Sequence, residues 1–176
     1  MTIVVRAIGN GQRGRYRWLA TALGKCFGAP VSIGVKISDV SEAYDGERKQ
    51  YLAERILSSM AGLGMVTESQ TLGVTEFDLY APGLNFVFGQ ADMEAGVAII
   101  SLCRLRPEYY GLPGDENLFR QRAIKEAVHE LGHTAGLRHC ADIRCVMHFS
   151  NSLADTDWKS SAFCPKCSPR LIKQVV

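Results

Sequence analysis

Long apolar runs are missing from this chain. No stretch of its 176 residues is apolar over the length needed to cross a bilayer, which argues against a membrane-embedded protein. Residues 1–9 are apolar apart from one arginine. That run is shorter than the apolar region of a signal peptide, and Gln12, Arg13 and Arg15 follow it at once. The chain therefore reads as cytoplasmic. A surplus of either charge is missing too. The 20 Lys and Arg face 18 Asp and Glu, for a net charge of +2, too balanced to point to nucleic acid or an anionic membrane surface. Repeats and low-complexity tracts are absent. With 47% hydrophobic and 22% charged residues, the composition is that of an ordinary soluble globular chain. The length suits one domain with its own core, so we read 1–176 as a single domain and take it to be a monomer.

Histidine is absent before position 129. All four histidines, His129, His133, His139 and His148, fall in one short window. Four of the six cysteines, Cys140, Cys145, Cys164 and Cys167, lie in or just after it, while Cys26 and Cys103 stand apart. Scattered structural residues do not concentrate in this way. In a reducing compartment, clustered thiols are more often metal ligands than disulfides.

The periodicity predicts an α/β chain of the mixed α+β kind, a twisted mixed sheet carrying helices. Strands are expected at 3–8, 31–37, 74–80, 86–88 and 97–102, and helices at 13–27, 46–63 and 118–137. A short helix is expected at 169–176. From Gly136 to Pro169 large aliphatic residues thin out and Cys, His, Ser, Asp and Pro dominate. Such a segment has little core of its own, and a structural metal would stabilise it.

Residues 129–139 read His-Glu-Leu-Gly-His-Thr-Ala-Gly-Leu-Arg-His. Histidines four apart on a helix leave the same face about 5–6 Å from each other at Cβ, which suits two ligands of one zinc. Glu130 follows the first histidine and can reach a water on that metal without being a ligand. Gly136 lets the chain leave the helix sharply, so that His139 swings back to the same metal. Three protein ligands leave a fourth position for water, the mark of a catalytic site. The competing reading is a solvated helix with incidental histidines. With Gly136 and His139 at these offsets, the block matches the metzincin signature.

Cys140 with Cys145, and Cys164-Pro165-Lys166-Cys167, make two close pairs joined by a loop, as in tetrahedral thiolate zinc sites. Two disulfides or a redox Cys-x-x-Cys are the alternatives. Cys26 and Cys103 read as small buried apolar residues. Arg138, Asp142 and Arg144 read as solvated charges, with substrate contact as the other reading of Arg138.

Within the metzincins, the chain resembles an archaemetzincin. The resemblance rests on His139-Cys140, on Cys145-Val146-Met147, on Cys164-Pro165-Lys166-Cys167, and on the stretch from Leu72 to Gly89. It implies one compact metzincin-like domain without a propeptide, a long zinc-binding active-site helix, and a second zinc held by Cys140, Cys145, Cys164 and Cys167. Met147 would be the Met-turn residue that packs under the imidazoles without binding metal. His148 stands where the resemblance leads one to expect Asn, and either a surface or an active-site position is open to it. The strand near 97–102 would border the cleft and pair with an extended substrate. An interior strand fits its aliphatic run equally well.

The expected function is zinc-dependent hydrolysis of peptide bonds, with Glu130 as the proton acceptor and two zinc ions per chain as cofactors, one catalytic and one structural. The substrate is a peptide or protein. Aminopeptidase and short-peptide hydrolase are both open. A catalytically silent, zinc-stabilised peptide- or protein-binding module is the main alternative, and Glu130 together with His139 argues against it. A nucleic-acid-binding zinc ribbon is disfavoured, because Asp142, Asp155 and Asp157 interrupt the basic residues around the cysteines.

Overall fold

The structure is a computed structural model that describes residues 2–12, 14–62 and 69–175, with no side chain beyond Leu171. β1 (Thr2–Ala7) leads through α1 (Arg17–Phe27) to β2 (Val31–Ile33). Then come the short strands β3 (Tyr44–Asp45) and β4 (Gln50–Leu52), α2 (Ala53–Ala61) and β5 (Ser69–Thr75). β6 (Leu79–Tyr80), β7 (Gly89–Asp92) and β8 (Val97–Ser101) follow. The long α3 (Glu116–Thr134), α4 (Leu153–Trp158) and α5 (Ser168–Val175) complete the order.

The main sheet runs β2-β1-β5-β8-β7. Its first four strands are parallel, and β7 is antiparallel to β8 at the edge. A sheet covered by helices on both faces needs central strands that are apolar on both sides. β8 meets that need, since all five of its residues are buried. Ala98 and Ile100 face a core shared with Leu19, Leu23, Val128 and Leu131 of α1 and α3. Val97 and Ile99 alternate to the other face, against Ile56, Leu57 and Met60 of α2. On β5, Gly73 has no Cβ because one would lie 2.9 Å from the Met60 sulfur and 3.1 Å from Ile8 Cγ1.

The mixed α/β architecture agrees with the reading of the sequence, but several boundaries differ. The helix expected over 46–63 begins at Ala53, and Leu63 lies outside the described residues, as do Arg13 and Val176. Asp45 turns the preceding chain by accepting from the Glu47 and Arg48 amides, each at 3.0 Å. Tyr51 then stacks on Phe77 with ring centroids 4.2 Å apart, so 50–52 pairs in a small sheet, β3-β4-β6. The strand expected over 74–80 breaks at Glu76–Asp78, where the Phe77 amide donates to Thr75 Oγ1. Residues 86–88 carry one isolated bridge, between Leu79 and Val87, and the strand begins only at Gly89. β8 is interior, so the cleft-bordering role considered for 97–102 is wrong. Of the two readings the interior strand holds, and the edge belongs to β7.

α3 positions the site. Asp115 caps its start by accepting from the Leu118 amide at 2.9 Å. Its end is a Schellman turn. Gly136 has φ +78°, its amide donates to His133 O at 2.8 Å, and the Leu137 amide donates to Gly132 O at 3.0 Å. Among the described residues, no helix is long and apolar enough to cross a membrane.

Candidate metal centre

The last turns of α3 and the Schellman turn after it bring His129, His133 and His139 together. One ring nitrogen from each lies within 4.8 Å of the others, and the sulfurs of Cys140, Cys145, Cys164 and Cys167 gather equally closely. His129 Nδ1 donates to Val146 O at 2.7 Å, and His133 Nδ1 donates to Leu137 O at 2.7 Å. A carbonyl can only accept, so both protons sit on Nδ1 and both Nε2 atoms present bare lone pairs. Those two Nε2 atoms are 3.1 Å apart. With no proton between them, this is a repulsive contact that a shared cation would relieve. Two ligands of a tetrahedral zinc at about 2.0–2.1 Å stand roughly 3.3 Å apart. Cys140 Sγ and Cys164 Sγ are 3.8 Å apart, and two sulfurs each about 2.3 Å from a tetrahedral zinc are separated by roughly 3.8 Å. Both donor sets therefore fit zinc.

The electrostatics agree with metal-binding imidazoles. Burial, then the charges of Lys159 and His133, hold the His129 pKa well below the ordinary histidine value. Burial likewise lowers His133 and His139, with Lys159 adding to both effects. All three rings thus stay neutral, as ligands must. Among the thiols, burial pushes Cys164 up, but backbone amides of Cys167 and Lys166 outweigh it and bring Cys164 down to about 7. Cys26 and Cys103 are free and half-buried, and lie outside both clusters.

Glu130, one residue after His129, is 6% exposed. Burial, then the neighbouring Glu126, raises its carboxyl pKa well above the ordinary value, while Lys159 opposes the shift. Glu130 lines a cavity of about 210 Å³ with His129, Glu126, Phe86, Phe88, Gly89, Phe149 and Ser150. A larger groove of about 970 Å³ lies over the cysteine loop. It touches His139 but neither helical histidine nor Glu130, so the smaller cavity is the one next to the chemistry.

Met147 is fully buried, and its sulfur packs against the backbone of Gly132 inside α3. His148 is turned toward the cysteine loop and donates through Nδ1 to Cys140 O at 3.0 Å. Arg138, Asp142 and Arg144 are exposed.

Two groups escaped the sequence reading. Lys159 Nζ forms an ion pair with Glu126 Oε1 at 3.0 Å, with 0% and 4% of the side chains exposed. Thr156 Oγ1 donates to the same oxygen at 3.0 Å. Glu126 stands one turn before Glu130 and was detectable as its helical neighbour. Lys159 carries no local signal and looks like one more surface lysine. Phe149 was also missed. Its ring lies 4.9 Å from that of His139 and forms a wall of the cavity.

A helix that sets two imidazoles on one face with a buried carboxylate beside them, packed against a mixed sheet, has the architecture of a metal-dependent peptidase. The chain belongs to peptidase family M54, whose family model matches residues 23–173. It is 51% identical to the archaemetzincin of Pyrococcus furiosus over 148 residues, 82% of this chain and 77% of that one. It is 43% identical to the archaemetzincin of Methanocaldococcus jannaschii over 171 residues, 97% and 93% of the two chains. Among solved structures it resembles a zinc-dependent peptidase from Methanocorpusculum labreanum, with TM-score 0.86 and 32% identity over 96% of this chain and 99% of that one. It also resembles the archaemetzincin of Archaeoglobus fulgidus in complex with malonate, with TM-score 0.81 and 37% identity over 97% and 99%. The resemblance drawn from the cysteine and histidine motifs is therefore correct.

Proposed function

We propose that the protein is a zinc metallopeptidase in which His129, His133 and His139 hold the catalytic zinc. Cys140, Cys145, Cys164 and Cys167 hold a second, structural zinc. One observation carries this reading: two bare Nε2 atoms 3.1 Å apart, each with its Nδ1 proton committed to a backbone carbonyl, beside a buried glutamate. When bound, the catalytic zinc supplies Lewis-acid polarisation of a carbonyl and lowers the pKa of a water.

Glu130 accepts the proton of the attacking water and returns it to the departing amine. Its pKa, raised above the ordinary carboxyl value by burial and by Glu126, makes the carboxylate a stronger base for taking the water's proton. The aromatic walls of the adjacent cavity receive a substrate side chain and keep bulk water away from the carboxylate. Ser150 Oγ is buried in this cavity with no hydrogen-bond partner among the described residues, and is available to a polar group on the substrate. The edge strand β7 offers backbone pairing to an extended peptide.

The small cavity favours short peptides, with an aminopeptidase as one form of that activity. We further take residues 1–176 to act as one domain, as a monomer, in the cytoplasm. The free thiols support the last point.

Metal analysis joined to a peptide digest tests the proposal. About two zinc ions per chain are expected, falling to about one in His129→Ala or His133→Ala. Glu130→Ala keeps both ions and loses peptide hydrolysis. Hydrolysis equal to that of the parent in Glu130→Ala would falsify the mechanism. A chain that binds peptides and both ions but never cleaves is a binding module instead.

A further inference from the structure

Lys159 follows α4 on the segment that leads to Cys164, far in sequence from the histidine helix. We propose that it is a positioning residue for the histidine site. It straps the backbone that carries Met147 to α3, so that the three imidazoles converge. The inference rests on the metal site proposed above.

The connections are specific. The Lys159 ammonium pairs with Glu126 on α3 at 3.0 Å and donates to the carbonyl of His148, directly after Met147, at 3.4 Å. One buried cation thereby joins the helix that bears His129 and His133 to the turn beneath them. The backbone after Lys159 continues the connection. The Ser160 amide donates to Arg144 O at 2.9 Å, and the Val146 amide donates to Ala162 O at 3.0 Å. Val146 O is in turn the acceptor for His129 Nδ1 at 2.7 Å. The strap also reaches the third histidine, since the amide of Cys140, next to His139, donates to Met147 O at 2.9 Å.

A lysine with 0% of its side chain exposed is rare unless paired. If folding stability were its whole purpose, apolar residues of similar shape could replace the pair. A strap differs from a stabiliser in one respect. Without it the chain still folds, but the imidazoles lose their common focus. Residues that orient metal ligands from outside the coordination sphere set metal affinity in this way.

The test uses the full chain, freed of metal and titrated with cobalt(II). Cobalt at either site gives visible d–d bands, but only thiolates add near-ultraviolet charge-transfer bands, so the thiolate site is read in the near ultraviolet and the histidine site as the visible absorbance gained beyond it. Lys159→Met alone leaves Glu126 buried and unpaired, and is expected to fold poorly. The double variant Glu126→Gln/Lys159→Met leaves no unpaired charge and keeps an acceptor for Thr156. We expect it to melt within a few degrees of the parent, to keep the thiolate band, and to bind cobalt at the histidines about 10- to 100-fold more weakly. Cobalt binding at the histidines within twofold of the parent would overturn the strap alone. A parent chain that takes up cobalt only at its thiolates would overturn the histidine metal site itself, and the strap with it.

Discussion

Gly89 and Glu130 compete for one space. A Cβ built on Gly89, at the start of β7, would lie 2.6 Å from Glu130 Cγ, 2.8 Å from its Oε1 and 2.8 Å from Ile99 O. Gly89 has no left-handed backbone angle to explain it, so the Glu130 side chain and the Ile99 carbonyl together leave no room for a Cβ. In Gly89→Ala the Glu130 side chain must move. Misplacing a catalytic group by about 1 Å can cost roughly 100-fold. We expect kcat to fall by about that factor while zinc content stays at the parent value. Steady-state kinetics with metal analysis on the same preparation checks this, and unchanged kcat would separate Gly89 from the chemistry.

The raised pKa of Glu130 has a consequence for stability. A carboxyl that binds its proton more tightly in the folded state than its ordinary value of 4.5 contributes fully below that value. The contribution is lost as pH rises from 4.5 through the raised folded value. Glu130→Gln cannot ionise. The metal-free variant should therefore match the metal-free parent in acid and become the more stable of the two as pH rises. The histidines contribute equally to both proteins and cancel. Thermal melts of the two metal-free proteins from pH 4 to 8 read the difference, and a gap that shrinks with rising pH would refute the assignment.

Gly132 and Met147 allow a test of the turn. Replacing glycine by alanine inside a helix ordinarily stabilises by about 1 kcal/mol. Here the added methyl would overlap the Met147 sulfur and lie 3.2 Å from the Phe163 ring. Gly132→Ala should instead destabilise, by about 1–3 kcal/mol. Part of that loss should return when Met147→Ala is added. A double-mutant cycle by denaturant melts supplies the coupling energy, and additive effects would mean that the two residues act separately.

The two metal sites are expected to be coupled equally in affinity, but to differ in occupancy when one of them is removed. Cys167→Ser removes one thiolate ligand and should weaken zinc at the histidines as well, because His139 is bonded to Cys140. His129→Ala should leave the thiolate site at full occupancy. Stoichiometry of each variant after equal dialysis measures this. Full histidine-site zinc in Cys167→Ser would show that the second site gives no bracing.

Both candidate metal sites were legible because their residues lie close in sequence. Residues 129–139 and 140–167 carry their own spacing, and the helix and the Schellman turn turn spacing into geometry. What supports the ligands was harder to read. Gly89 reaches Glu130 from a different element, and Lys159 reaches Glu126 across the core. Periodicity within one segment contains neither contact. Gly132 lay inside the motif in plain view, but its purpose depends on where Met147 folds. The missed helix α4 is only six residues long. Its capping box, Ser152 with Asp155, was available in the sequence. The boundary errors over 46–63 and 74–80 share a cause. The aromatic pair Tyr51 and Phe77 drew both segments into a second sheet whose strands are too short for alternation to reveal.

A single peptide bond between His139 and Cys140 also governs how a population of these molecules would look. If filling the thiolate site orders the third imidazole, chains loaded at the histidines alone are disfavoured, and molecules sort into those carrying both ions and those without a catalytic one. Under metal shortage such a population loses active molecules one by one, while each survivor works at its full rate.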